Sequence, residues 1–238
     1  MKKSLGILGG MGPLATADLF TKIVQMTDAK RDNDHLRVYI DNNAQIPDRT
    51  AAILSGGADP VPAMAESAQK LASMGAELLI MPCNTAHYFL PRLREQCSVP
   101  FLNMIEITAE RCRQTHGQAP AGLLATRGTI QTGLYRRALE AQGVPCVEPD
   151  EGEQDLLMNA IYAVKSGRQD LDKAAFLQML AQMKTRGARY FILGCTELPI
   201  VAQILGLEEP LADPTALLAQ KAIEECGGQV VFKGRSRG

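Results

Sequence analysis

The chain has 238 residues, 46% hydrophobic and 21% charged, which is enough for one large or two small cored domains and excludes a disordered or fibrous chain. Its 25 Lys and Arg balance 26 Asp and Glu to a net charge of -1, with no basic stripe interleaved with aromatics; a nucleic-acid partner is not expected, and a small molecule is. Apolar runs such as Leu78 to Cys83 fall far short of the roughly 18 residues that cross a bilayer, so no membrane partner is expected either.

At the N-terminus, Lys2-Lys3, an apolar stretch and Ala15-Thr16-Ala17 imitate a secretory leader. Gly9, Gly10, Gly12 and Pro13 break that stretch, so it reads instead as a strand, Leu5 to Leu8, with a glycine turn after it. Next come a helix from about Ala15 to Thr27, a strand at Val38 to Ile40, a helix from about Pro62 to Met74 and a strand at Leu78 to Met81. Phe101 to Asn103 adds a short strand, and Gln114 to Pro120 is the expected joint. Beyond it lie a strand at Gly122 to Ala125, helices from about Thr132 to Gln142, Gln154 to Ser166 and Leu171 to Thr185, and a strand at Tyr190 to Leu193. Lys233 to Gly238 reads as a frayed tail. Strands alternating with helices in this way build βα units around a mainly parallel sheet.

The two halves resemble each other. Gly75 to Cys83 aligns without a gap on Gly187 to Cys195, each cysteine lying eight residues after a Gly-Ala pair. Leu5 to Leu8 before Gly9-Gly10 likewise matches Gly122 to Ala125 before Thr126 to Thr129. A repeat of this length marks duplicated domains and not a solenoid. The fold class expected is α/β, with two pseudosymmetric domains, 1–116 and 117–238, each a mainly parallel sheet flanked by helices. The segment from about 210 is left free to pack back on the first domain, and the active site belongs in the cleft between the two.

Six cysteines are too sparse, and too irregularly spaced, for a disulfide framework or a zinc motif, which implies free thiols and a reducing cytoplasm. His35, His87 and His116 stand apart from cysteine and carboxylate clusters, so no metal site is expected. In an open α/β sheet the ligand sits at the carboxyl ends of the strands, where Cys83 and Cys195 both fall. Asn84 and Thr85 are N-cap types and Pro199 suits a first helical turn, so each sulfur is expected near free backbone amides that favour a thiolate. Taken singly, each cysteine reads more readily as a small core residue; the duplication reverses this by setting them facing across a cleft, and Cys97, Cys112, Cys146 and Cys226 are left as structural.

Paired thiols on opposite faces of a ligand suit one reaction. A thiolate removes a proton from carbon, a thiol delivers one to the other face, and the stereocentre inverts. Charge develops at a weakly acidic carbon, so donors must be aimed there; Asn84, Thr85, Thr126 and Thr196 are the candidates.

Gly9 to Thr16 (GGMGPLAT), Pro47 to Thr50 (PDRT), Pro82 to His87 (PCNTAH) and Gly194 to Pro199 (GCTELP) resemble the aspartate/glutamate racemase superfamily, specifically its aspartate branch. The likeness covers Leu5 to about Glu225; its cysteine motifs are specific, its glycine loop alone is not. It implies a cofactor-independent, two-base racemisation of an acidic amino acid, usually by a homodimer, with Cys83 and Cys195 as the acid/base pair. It also implies Arg49 and Lys165 as carboxylate binders. Arg49 falls in the loop after Val38 to Ile40, where its fork can hold a carboxylate by two bonds; the alternative is a solvated loop arginine. Lys165, near a helix end, also reads as an ordinary dipole partner. The glutamate branch reads Cys-Thr-His where this chain has Glu197, which a helix N-terminus accounts for more simply than a role at the sulfur.

Other readings compete. Gly10 to Ala15 fits the GxGxxA dinucleotide pattern, with Asp41 at the next strand end, but that interval is about ten residues too long and Pro13 removes a phosphate-turn amide. The same glycine turn can let backbone approach a small carboxylate and bring Met11 into the site. A two-lobed binding protein fits the duplication but has no use for paired thiols. Glutamate or broad-specificity racemisation and dicarboxylate isomerisation are the nearest enzymatic alternatives.

Overall fold

The computed structural model describes residues 2–231; the expected tail, Lys233 to Gly238, lies outside them. In the first half, β1 (Leu5–Gly9) leads into α1 (Pro13–Met26), β2 (Val38–Asn42), α2 (Arg49–Leu54), α3 (Val61–Ser73) and β3 (Leu78–Ile80). Its three strands form a parallel sheet in the order β2-β1-β3, with Leu5 registered on both Val38 and Leu78. Helices α4 (Leu90–Arg94) and α5 (Met104–His116) follow. The second half begins with β4 (Ala121–Ala125), α6 (Arg127–Gln131), α7 (Leu134–Ala141), β5 (Cys146–Val147) and α8 (Glu151–Lys165). It continues with α9 (Lys173–Thr185), β6 (Tyr190–Gly194), α10 (Leu198–Leu205), β7 (Leu211–Ala212) and α11 (Pro214–Glu225). This sheet is also parallel, in the order β5-β4-β6-β7.

Every residue of β1, β3, β4 and β6 is buried, as strands covered by helices on both faces must be; that is why they read as unbroken apolar runs. The repeated Gly-Ala pairs have a local cause. Gly75 (φ +99) and Gly187 (φ +109) terminate α3 and α9 in a conformation open to glycine, and the next amides, Ala76 and Ala188, each donate to a carbonyl five residues back at 3.1 Å. Each chain reversal then feeds its cysteine-bearing strand.

The duplication extends to an exchange of helices. Phe101 makes one parallel bridge to Leu79 and not the strand expected at 101–103, because Asn103 turns to cap α5 with its Oδ1. Its counterpart is β7 beside β6, after which Asp213 caps α11 in the same way. The two helices then cross over. Ile105, Ala109 and Cys112 of α5 pack on Ala121 and Leu123 of the second sheet, while Leu218, Ala222 and Ile223 of α11 pack on Leu5 and Ile7 of the first. Lys22 of α1 joins Asp213 at 3.0 Å on the same seam.

Several boundaries differ from the sequence reading. The expected joint at 114–120 overlaps the end of α5, whose buried face includes Thr108, Ala109 and Cys112 and so lacks a strong apolar stripe. The helix expected from Thr132 begins at Leu134, because Gly133 (φ +61) separates it from α6. Helix α8 begins three residues before Gln154: Asp150 Oδ1 accepts from the Glu153 amide at 2.9 Å and Glu153 Oε2 from the Asp150 amide at 2.8 Å, a capping box. Among the described residues, no helix is long and apolar enough to cross a membrane.

Candidate active site

The carboxyl ends of β3 and β6 face each other across one small cavity lined by every residue expected at the site, together with Asp48, Thr50 and Glu197. Its volume is about 20 Å³, room for about one water molecule. A larger cavity of about 340 Å³ lies behind the site beside Ile105 and Leu134 and touches neither cysteine.

Cys83 follows β3 after Met81-Pro82, and its carbonyl accepts a hydrogen bond from His87 Nδ1 at 2.8 Å. His87 Nε2 accepts in turn from the Met104 amide at 3.1 Å, which places the ring proton on Nδ1. Burial pushes the imidazole down to about 4, so it is neutral at physiological pH. Asn84 does not cap a helix as its type suggested. It sits in helical conformation before a short 3-10 turn, Thr85–Phe89, and its Oδ1 accepts from Tyr135 Oη at 2.6 Å. Thr85 Oγ1 meets Thr126 Oγ1 at 3.0 Å and Thr129 Oγ1 at 2.9 Å, joining the halves at the cavity floor, while Thr126 caps α6.

Cys195 directly follows β6, and its thiol donates to Glu197 Oε2 at 2.9 Å; Thr196 Oγ1 lies 3.3 Å from the same oxygen. The expectation that helix-end amides would favour a thiolate does not hold here. Burial, then the charge of Glu197, pushes the Cys195 thiol well above its ordinary range against the opposing pull of Lys165. Glu197 does stand at the N-terminus of α10 as expected, but its side chain makes no cap bond and turns to the sulfur, the role that the sequence favoured less. Pro199 does occupy the first turn of α10.

Arg49 is neither in a loop nor solvated. It is the first residue of α2, buried beneath the Asp48 cap, with Nη1 donating to the carbonyls of Ile46 (3.1 Å) and Pro47 (2.9 Å) and Nη2 to that of Met11 (3.3 Å). It therefore locks the glycine turn to α2, and its buried Nε has no partner. Lys165 ends α8. Burial works to lower its ammonium, yet chiefly the neighbouring Glu197 carboxylate holds it above its ordinary value, and it lines the same cavity as both sulfurs. It also lies 5.6 Å from the Tyr162 ring centroid.

The glycine turn is not shaped as a phosphate cradle. A Cβ on Gly10 (φ +90) would meet Asn43 backbone at 2.2 Å, and the Gly10 amide is already held by Thr16 Oγ1 at 2.9 Å. Among the described residues, no three His, Cys, Asp or Glu side chains converge as a metal-binding group. All six cysteines are free thiols. Sequence reasoning missed Tyr135, Thr129 and His87 at the site; PCNTAH contains His87, but nothing local distinguishes the other two.

The model of the Asp/Glu/hydantoin racemase family matches residues 8–222. The fold matches the structure of an aspartate racemase from Picrophilus torridus, with TM-score 0.79, 30% identity and 96% of each chain covered. The chain is 28% identical over 225 residues to the broad specificity amino-acid racemase RacX of Bacillus subtilis, covering 92% of this chain and 96% of that one. It is 32% identical over 159 residues to a glutamate racemase of Desulforudis audaxviator, covering 64% of this chain and 57% of that protein.

Proposed function

The chain belongs to the Asp/Glu/hydantoin racemase family, and from that premise we propose that it interconverts L- and D-aspartate by a two-base mechanism without a cofactor. The observation that carries this reading is the pair of thiols at equivalent strand ends, Cys83 and Cys195, lining one cavity from opposite halves beside Lys165. Arg49 Nε, Asn84 Nδ2 and the Lys165 ammonium are the donors for the carboxylates, with Met11, Thr85, Thr126 and Thr196 completing the wall.

In one direction Cys83, as thiolate, removes the Cα proton while the Cys195 thiol delivers its own to the opposite face. The second proton leaves with the product and the first stays on Cys83, so the reverse turnover uses the two sulfurs in exchanged roles. Cys195 suits the donor role at rest because burial and the neighbouring Glu197 charge keep its thiol protonated. When Cys195 must act as base, Glu197 is the group placed to receive that proton. The positive charge of Lys165 offsets the carbanion that forms.

A second reading, broader amino acid specificity, is favoured by one feature: three of the Arg49 N–H groups are spent on backbone carbonyls, leaving Lys165 as the main selector of a second carboxylate. The proposal also includes a reducing cytoplasm, supported by six free thiols, and a homodimer by resemblance to the family. The test is proton NMR of L-aspartate with the purified protein in D2O without added cofactor, followed by chiral analysis. Loss of the Cα signal together with D-aspartate is expected; no exchange with aspartate, glutamate or neutral amino acids would overturn racemisation.

A further inference from the structure

Tyr135 on α7 is fully buried, and its Oη lies 2.6 Å from Asn84 Oδ1 across the junction of the two halves. That separation fits an O–H···O bond and is shorter than usual for N–H···O, so the phenol donates and the amide oxygen is the atom turned toward it. Burial pushes the Tyr135 phenol well above its ordinary range, which keeps it a donor at working pH. The other end of the amide tells the same story: Asn84 Nδ2 is buried at the cavity and has no partner. A buried donor without an acceptor is unfavourable, and here the missing acceptor is what a bound anion supplies.

We propose that Tyr135 is a positioning residue that holds Asn84 Oδ1 so that both Nδ2 hydrogens face away from it, one of them toward a substrate carboxylate. This rests on the racemase reading above. The two ends of an amide have nearly the same shape, and without the phenol the carbonyl end is free to turn toward the cavity, where it would repel a carboxylate. Because Tyr135 belongs to the second half and Asn84 to the first, the donor is set by the packing of the two halves against each other.

Tyr135→Phe removes the hydroxyl and keeps the ring. It is expected to lower kcat/KM for aspartate by about tenfold, the scale of one hydrogen bond. In an Asn84→Ala background the same substitution is expected to change kcat/KM by less than about twofold, because the amide through which it acts is gone. Equal losses in the two backgrounds, or none in the first, would overturn the proposal. A second measurement uses the wild-type protein: the assigned Asn84 side-chain amide signals are followed by NMR while succinate, an unreactive dicarboxylate, is added. They are expected to shift, and unmoved signals at saturating succinate would overturn the proposal. A protein that racemises no amino acid yet shows the shift loses the racemase reading and keeps the Asn84 donor; one that racemises without the shift does the reverse.

Discussion

After β3, Cys83 is followed by a turn whose His87 donates back to the cysteine carbonyl, and the sulfur itself has no fixed partner among the described residues. After β6, Cys195 is followed by Glu197, whose carboxylate takes the thiol's hydrogen bond. The two loops leave equivalent strands of equivalent sheets, yet one is held by its backbone and the other through its reactive atom. The equivalent strand ends place the two sulfurs alike, and Glu197, two residues after Cys195, gives that thiol alone a hydrogen-bond partner among the described residues. For a racemase this asymmetry is constrained. The enantiomers have equal free energy, so kcat/KM must be the same in both directions, and any difference between the two sulfurs appears in kcat and KM separately.

The largest test of the comparison is to remove either sulfur. Cys83→Ser and Cys195→Ser are each expected to lower racemisation at least about a thousandfold, since a hydroxyl is too weak an acid for the shuttle. Near-normal rates in both variants would end the two-base model.

The cationic side of the site comes next. Lys165→Ala is expected to lower kcat/KM for aspartate about a hundredfold more than for alanine, because it removes the charge that meets a second carboxylate. Arg49→Ala is expected to cost both substrates similarly, since it frees the Met11, Ile46 and Pro47 carbonyls and with them the glycine turn. Steady-state kinetics with the two substrates separates these outcomes.

Glu197→Gln makes the two loops more alike. Removing the neighbouring charge should let the Cys195 thiol titrate at lower pH, while the loss of its proton acceptor lowers kcat about tenfold for the enantiomer that Cys195 deprotonates. Alkylation rate against pH, read at Cys195 by mass spectrometry, checks the first; kcat for each enantiomer checks the second. An unchanged alkylation profile would remove Glu197 from the account of Cys195.

A last effect concerns stability and not turnover. His87 falls to about 4 in the folded chain from 6.5, so between these values the unfolded chain binds a proton that the folded one lacks. Its contribution is present above pH 6.5 and is lost as pH falls toward 4, about 3 kcal/mol in all. Urea titrations across that range should show the decline, and His87→Gln should flatten it.

Much of the architecture was legible because β1, β3, β4 and β6 are buried on both faces and so are written as unbroken apolar runs. The placement of the two candidate cysteines was legible for a related reason: the end of a central parallel strand is a fixed address, and the Gly-Ala reversals placed both cysteines at it. Helix α5 was not, because much of its buried face is small or polar, and such a face becomes a core only when the second sheet covers it. The short α2 and α6 carry too few residues for a period to register.

Local sequence therefore determined which strands form, where the chain reverses and which two sulfurs reach the sheet edges. Tertiary structure alone decided the rest: the crossing of α5 and α11, the conversion of Arg49 from an open fork to a lock on three carbonyls, the turn of Glu197 toward Cys195, and the meeting of Tyr135 with Asn84 across 51 residues of chain. The physical reason is the same throughout. Strand and turn preferences act over a few neighbouring residues, whereas a buried polar group must find its partner wherever packing brings one.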